Sequence, residues 1–361
     1  MKYSLIGCGR VSPNHIKAAK ENNFEICAVC DINPEHIDTM FKNASFSDEE
    51  INAVHRYSSW REMLDTEKPD LVSIALPSGL HFEAARDVIT RGINCIIEKP
   101  MAMSTTDAKE IIRLTEKHGV TVSVCHQNRF NTAVRRMRSS LENGKFGRLS
   151  NAAITVRWHR TADYYKNDDW RGKWASDGGT LMNQCIHGID LLRWMCADEI
   201  DTVAAFTNNA FHPMIEAEDV GVAVIKFSNG CLATVEGTVN NAVDDLEEHL
   251  TLIGEHGTMK LGGICANTVE YENFDGMITE SGLRETVPNV YGNGHISLFA
   301  DVKDAIENHR PPYVDVYAGY RAVETILAIY KSAHDKMPVK LPLGDVSAVE
   351  FADTKWGTIN N

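Results

Sequence analysis

The sequence has no apolar run approaching the roughly 18 residues of a membrane-spanning helix, which excludes a transmembrane reading. It is poor in positive charge: 36 Lys and Arg against 50 Asp and Glu leave a net charge of −14. So acidic a surface repels phosphate backbones and anionic lipid, so neither nucleic acid nor a membrane is expected as a partner. An anionic small molecule is still allowed, since it needs only a local cationic pocket. A disulfide framework is missing as well. The nine cysteines are odd in number and scattered, which fits free thiols in a reducing cytoplasm. Met1–Gly7 is too short for a secretory h-region and runs straight into a glycine motif, so a cytoplasmic location is expected. Internal repeats and low-complexity stretches are also lacking.

What is present is ordinary globular composition over 361 residues, 43% hydrophobic and 24% charged. That length favours two domains, about 150 residues each being common. In the first third, short apolar runs (Tyr3–Gly7, Phe24–Asp31, Leu71–Pro77, Ile93–Glu98, Val120–Cys125) alternate with the helical patterns Pro13–Glu21, His81–Arg91 and Thr106–His118. Fully apolar strands between amphipathic helices predict a doubly wound parallel sheet covered on both faces. Residues 43–59 read as an irregular insertion with a helical patch. Cys27 and Cys30 form a C-x-x-C, but on a strand, residues three apart point to opposite faces, so no redox or metal pair is expected.

Beyond helix Thr132–Glu142 the strands lengthen and alternate, as in Asn151–Arg160, Val220–Ser228, Cys231–Val239 and Glu248–Ile253. Ser228-Asn229-Gly230 marks a hairpin. An α+β second domain with a large, mainly antiparallel open sheet is therefore expected. The division falls at 1–125 and 126–361, with the final segment packing back on the first domain. Helices are predicted at 179–196 and 317–334.

Gly7-Cys8-Gly9-Arg10-Val11-Ser12 follows the first strand and opens a helix, with Ser12 suited to the cap and Pro13 to the first turn. Gly7 permits the tight turn, and Gly9 lets the backbone approach a pyrophosphate at the helix N-terminus. Asp31 ends the second strand at the spacing of a ribose-binding acid, and no Arg or Lys follows it over residues 32–36. This predicts NAD over NADP. The bland alternative is a structural turn with a capping Asp.

Lys99 ends an unbroken apolar strand within Glu98-Lys99-Pro100, on the sheet edge where ligands bind, and Pro77-Ser78-Gly79-Leu80-His81 ends the preceding strand. In the helix expected over 179–196, Asn183, His187 and Asp190 fall at i, i+4 and i+7 on one stripe. A core histidine is the plain alternative. His187 and Asp190 lack a third ligand at supporting spacing, so no metal is expected. Trp170-Arg171-Gly172-Lys173 reads as a loop lying on a ligand.

Together these motifs resemble the Gfo/Idh/MocA oxidoreductases, the glucose-fructose oxidoreductase and inositol dehydrogenase family. The match spans nearly the whole chain, the closing helix through Ala328–Ala333 included. The resemblance implies a Rossmann domain that binds NAD and a second domain whose open sheet makes a homodimer or homotetramer. It implies cofactor contacts at Gly7, Gly9, Arg10, Val11, Asp31, Ile32, Pro77, Ser78, His81, Glu98, Lys99 and Gln127. It implies that Lys99 polarises a sugar hydroxyl, that His187 is the acid/base, and that Asn183 assists. Inositol-oxidising members usually carry Asp four residues before that histidine, where this chain has Asn183. The stretch Asp177–His187 looks more like the branch that oxidises C3 of UDP-N-acetylglucosamine or its uronic acid in surface-polysaccharide synthesis. In that branch Tyr165, Trp170, Arg171 and Lys173 would meet the substrate. The alternatives are a free-sugar or inositol dehydrogenase, an NAD-dependent glycosidase, and a non-catalytic dinucleotide sensor.

Overall fold

The computed structural model describes all residues except 197–198, 279–281, 288 and 358–361. It has two compact units. The first comprises Met1–Ala102, Asp107–His126 and His295–Tyr320, and the second Met103–Thr106, Gln127–Gly294 and Arg321–Asn361.

The first unit holds six parallel strands: β1 (Lys2–Ile6), β2 (Glu25–Cys30), β3 (His55–Tyr57), β4 (Leu71–Ile74), β5 (Asn94–Ile97) and β6 (Val122–Val124). Their order is β3-β2-β1-β4-β5-β6, the doubly wound arrangement. The helices are α1 (Ser12–Glu21), α2 (Pro34–Asn43), α3 (Asp48–Asn52), α4 (Trp60–Glu67), α5 (His81–Ile89) and α6 (Thr105–His118). β4 is buried at every residue, as a strand covered on both faces must be. The segment expected to be irregular contains α3, with a Ser47–Glu50 capping box, and the edge strand β3. Its His-Arg-Tyr sequence carries no apolar signature, because it is recruited through backbone pairing with β2.

Residues 295–320, expected in the second domain, belong to the first unit. The physical reason is aromatic: Phe299 of α11 (Gly294–Glu307) packs against Tyr3 at 5.8 Å and Phe24 at 6.2 Å. The final segment, by contrast, belongs to the second unit.

The second unit is built on nine strands: β7 (Leu149–Arg157), β8 (Ile200–Asn208), β9 (Val220–Phe227), β10 (Leu232–Thr238), β11 (Glu247–Gly254), β12 (Gly257–Gly262), β13 (Thr268–Phe274), β14 (Met277–Ile278) and β15 (Val339–Lys340). Their order is β14-β13-β12-β11-β7-β10-β9-β8-β15, and only the β7–β10 pair is parallel. β9 alternates strictly between buried and exposed residues, the mark of a sheet covered on one face. The predicted hairpin joins β9 to β10, with Gly230 at φ +90°. The helices of this unit are α7 (Thr132–Glu142), α8 (Ala162–Lys166), α9 (Thr180–Asn183), α10 (Ile186–Cys196) and α12 (Val316–Asp335) in chain order, α12 starting in the first unit, and α7, α9 and α10 pack on the sheet.

The helix expected over 179–196 is two helices. Both the Gln184 and Cys185 amides donate to the Thr180 carbonyl at 2.9 Å, and the five-residue step widens the turn between α9 and α10. The sheet explains the position of the break. Gly221 and Gly237 pair across β9 and β10, and a Cβ on either would lie within 2.7 Å of Leu181 or Cys185. The glycine pair makes a hollow in which the junction sits.

All nine cysteines are free. Burial raises both thiols of the C-x-x-C, Cys30 to about 12, and Cys27 instead meets Ser4 Oγ at 3.2 Å.

Candidate functional site

In the first unit, Gly7 ends β1 at φ +90°, and a Cβ there would stand 2.4 Å from the Ala75 carbonyl oxygen. Only glycine lets β1 turn beside β4, where the strand order reverses and a crevice opens. Gly9 is the opposite case: a Cβ would meet nothing within 4 Å. Its missing side chain relieves no contact within the protein, so it leaves an open approach of the kind a pyrophosphate needs. α1 starts directly beyond with no acidic residue in its first turn, so its positive end is uncompensated. Val11 takes the cap position expected for Ser12, whose hydroxyl donates to the Gly9 carbonyl at 2.6 Å.

Asp31 is held beside this turn. Its Oδ2 accepts from the Cys8 amide at 2.8 Å and its Oδ1 from the Asn33 amide at 2.8 Å. Ile32 next to it is exposed, as is Arg10. These residues fit a dinucleotide: Gly9 and the start of α1 would hold the pyrophosphate, and Asp31 the ribose.

Lys99 is half-buried at the carboxyl end of β5. The buried His81 ring spans the carbonyls of Leu76 at 2.8 Å and Pro100 at 2.7 Å. It thus ties the loop after β4, including Pro77 and the buried Ser78, to the Glu98–Pro100 segment, and both its nitrogens are used inside the protein. Glu98 is buried, with Oε1 2.8 Å from His15 Nε2. Neither His15 nor His295, which faces Glu98 at 3.8 Å, was anticipated from the sequence. The expected cofactor contact Gln127 belongs to the second unit, where its side-chain amide donates to the Tyr291 carbonyl at 3.4 Å.

In the second unit the expected Asn183–His187–Asp190 stripe is divided, Asn183 lying on α9 and His187 and Asp190 on α10. Asp190 makes a buried bidentate pair with Arg129 at 2.6 and 2.7 Å, which uses both its oxygens. Asn183 ends α9, and His187 lies buried in the first turn of α10. The amide of Asn183 is clamped: its nitrogen donates to Asp177, and its oxygen accepts from Gln184 at 2.7 Å. Gln184 in turn accepts from Arg160 at 2.7 Å and donates to the Tyr164 hydroxyl at 2.9 Å. Gln184, Arg160, Asp177 and Tyr164 thus form one hydrogen-bonded network around Asn183, in which Arg160 was not anticipated from the sequence.

Arg171, expected to meet a diphosphate, is paired with Asp168 at 2.7 Å, donates to the Tyr164 hydroxyl, and stacks on the rings of Tyr164 and Trp170. Lys173 beside it is exposed. Tyr165 is buried with its ring 5.2 Å from His212, and burial pushes its hydroxyl pKa up.

The turn that launches α9 hangs on a buried acid. Glu218 accepts from the Leu181 amide at 2.8 Å and from the Tyr330 hydroxyl at 2.9 Å, while Tyr330 accepts from the amides of Gly179 and Met182 at 3.2 Å. A Cβ on Gly179 would fall 1.6 Å from Glu218 Oε2, which accounts for a glycine there. Burial raises Glu218 to about 8, against the lowering effect of these hydrogen bonds. The folded protein therefore keeps a proton that the unfolded chain loses above about pH 4.3. The stability this gives is fully present below that pH and is lost as pH rises toward 8. Glu218→Gln is expected to flatten the fall of the urea midpoint between pH 5 and 8. Buried Glu248, also raised to about 8, keeps part of the slope. An unchanged slope would show that Glu218 does not hold its proton.

Among the described residues, one group is composed as a metal site, His15, Glu98, Cys125 and His295, all in the first unit. None of the described helices is long and apolar enough to cross a membrane.

Residues 1–126 match the model of the oxidoreductase family with an NAD-binding Rossmann fold, and residues 134–260 match the Gfo/Idh/MocA C-terminal domain. The chain belongs to the Gfo/Idh/MocA family. It is an NAD-dependent sugar oxidoreductase, with its NAD-binding Rossmann domain over residues 1–126. Among similar solved structures is the WlbA dehydrogenase from Bordetella pertussis in complex with NADH and UDP-GlcNAcA. It is 32% identical, with 95% of this chain and 99% of that chain covered and a TM-score of 0.83. The WlbA dehydrogenase from Chromobacterium violaceum, with the same two ligands, is 29% identical over 95% and 96% of the two chains, with a TM-score of 0.84. A curated relative, the myo-inositol 2-dehydrogenase of Thermotoga maritima, is 22% identical over 94% of this chain and 98% of its own.

Proposed function

We propose that this family member oxidises a ring secondary alcohol of a nucleotide sugar, C3 of UDP-N-acetylglucosamine or of its uronic acid. The observation that carries the reading is the 32% identity, over 95% of the chain, to a dehydrogenase holding NADH and UDP-GlcNAcA. The clamped amide of Asn183 supports it, because an amide does not titrate and cannot accept a relayed proton where inositol oxidation would use a carboxylate. Lys99 as ammonium polarises the substrate hydroxyl and stabilises the developing alkoxide. His187 takes the hydroxyl proton as general base. Asn183, held by Asp177 and Gln184, orients the groups beside it. NAD, when bound, accepts the hydride. Asp31 would hold the adenosine ribose, and exposed Ile32 would lie against the base. Arg171 then shapes the loop through Tyr164 and Trp170, which leaves Lys173 as the cation for a diphosphate.

A second copy would cover the open face of the large sheet. Phe206 and Val222, an exposed cross-strand pair, lie there with Val224 and Leu232. Light scattering is expected to show a dimer or tetramer, and a monomer would remove this reading of the sheet. The nine free thiols support a location in a reducing cytoplasm.

The test incubates purified protein with NAD or NADP and, in parallel, UDP-N-acetylglucosamine, its uronic acid, myo-inositol and glucose. 2-Oxoglutarate is added as a possible hydride acceptor. A product two mass units lighter, from a UDP-sugar with NAD, is expected. Turnover of free polyols alone would assign the chain to inositol-type chemistry instead. Release of sugar from a glycoside without net NADH would establish the hydrolase reading.

A further inference from the structure

We propose that His15 and His295 are positioning residues for Lys99, acting through Glu98. The inference rests on the role given to Lys99 above. Four elements meet at the Glu98 carboxylate: α1 brings His15, the start of α11 brings His295, Cys125 follows β6 directly, and Glu98 itself follows β5. Their ligating atoms lie within 4.8 Å of one another, and all four residues are buried. The two carboxylate oxygens are divided between tasks. Oε1 faces the two imidazoles, at 2.8 Å from His15 Nε2 and 3.8 Å from His295 Nε2. Oε2 accepts the backbone N–H of Lys99 at 3.2 Å. Glu98 is thus the link between a histidine pair and the chain segment that carries the lysine.

Burial alone would push this carboxyl up. The bonds and charge from His15 and His295 outweigh it and hold Glu98 well below the usual carboxylate range. Burial keeps His295 below the ordinary imidazole value in spite of Glu98. The Cys125 thiol, raised by burial and by Glu98, stays protonated. The cluster is therefore a carboxylate faced by two imidazoles and a protonated thiol. Ring packing fixes the imidazoles: His15 meets His295 edge-on at 5.5 Å and Phe299 at 5.6 Å. Removing the His15 imidazole leaves a buried carboxylate short of a donor, and removing His295 takes away the ring packed against His15; either change lets the carboxylate neutralise or move, and its hold on the Lys99 backbone loosens.

The same four residues compose a His-Glu-Cys-His metal set. A histidine bound to a metal through one nitrogen normally donates from the other to an acceptor. His15 Nδ1 is buried with no hydrogen-bond partner among the described residues, which favours a His15 that donates from Nε2 to Glu98, while His295 Nε2, also without a hydrogen-bond partner, stands beside the carboxylate.

The experiment compares His15→Phe, His15→Gln, Glu98→Gln and Lys99→Ala on the substrate that turns over, with kcat and both KM values determined. His15→Phe is expected to lower kcat by about tenfold or more with the KM for NAD within about twofold, because alignment rather than binding is lost. His15→Gln restores an N–H donor and should recover most of kcat, which a purely space-filling role would not. Should His15→Phe fail to fold, Glu98→Gln, which keeps the shape and removes the charge, should show the same kcat loss. Normal kcat in His15→Phe and Glu98→Gln beside an inactive Lys99→Ala would overturn the inference and leave the lysine's role standing. An active Lys99→Ala would instead overturn the catalytic reading beneath it. One equivalent of zinc in the purified protein, lost with activity on chelation, would replace positioning by metal binding.

Discussion

Lys99→Ala is expected to lose at least about a hundredfold in turnover while retaining NAD. The side chain stands at the carboxyl end of β5, where a doubly wound sheet presents groups to ligands, and its backbone is held by Glu98. An ammonium there does its work as the hydroxyl becomes alkoxide, so its loss falls on kcat more than on binding. Steady-state rates and NADH fluorescence titration on the same preparation separate the two effects. Lys99→Arg keeps the charge but replaces a compact donor by a planar fork, so it should recover only part of the rate. Turnover near wild type in Lys99→Ala would remove the lysine from the chemistry.

His187→Ala carries a loss of similar size, with a different dependence on pH. Without a base to take the hydroxyl proton, the reaction relies on hydroxide, so the deficit should narrow as pH rises. Lys99→Ala should show no such recovery. A substrate deuterated at the carbinol carbon should also show a larger isotope effect in His187→Ala if the chemical step becomes rate-limiting. A variant matching wild type across the pH range would make His187 a core histidine of α10, which its burial also allows.

Much of the architecture is legible in the order of the residues alone. Strand–glycine turn–helix at Lys2–Glu21 is local, and the positive φ of Gly7 is a local backbone cause that chain patterning anticipates, although the Ala75 carbonyl that also excludes a Cβ there is not. Apolar runs against alternating strands separate the two sheets because burial on two faces or on one leaves different periods. β3 escapes because an edge strand held by backbone pairing carries no apolar period. The helix break at Gln184–Cys185 escapes because it depends on the hollow that Gly221 and Gly237 make in the sheet. Asp190 looks like a partner of His187 on the helical wheel, yet it pairs with Arg129, a contact that no periodicity contains.

By itself, the sequence determined the two kinds of sheet, the dinucleotide turn with its acid, and the strand-end lysine. These depend on residues close together in the chain, where backbone sterics and burial act locally. Tertiary structure alone decided the identity of the partners. It seated α11 with the first unit, brought His15 and His295 to one carboxylate, suspended the α9 turn from Glu218 and Tyr330, and turned Arg171 onto Tyr164. The reason is the cost of burying polar groups: each buried donor or acceptor must find a partner wherever the fold brings one, and that partner is seldom near in sequence.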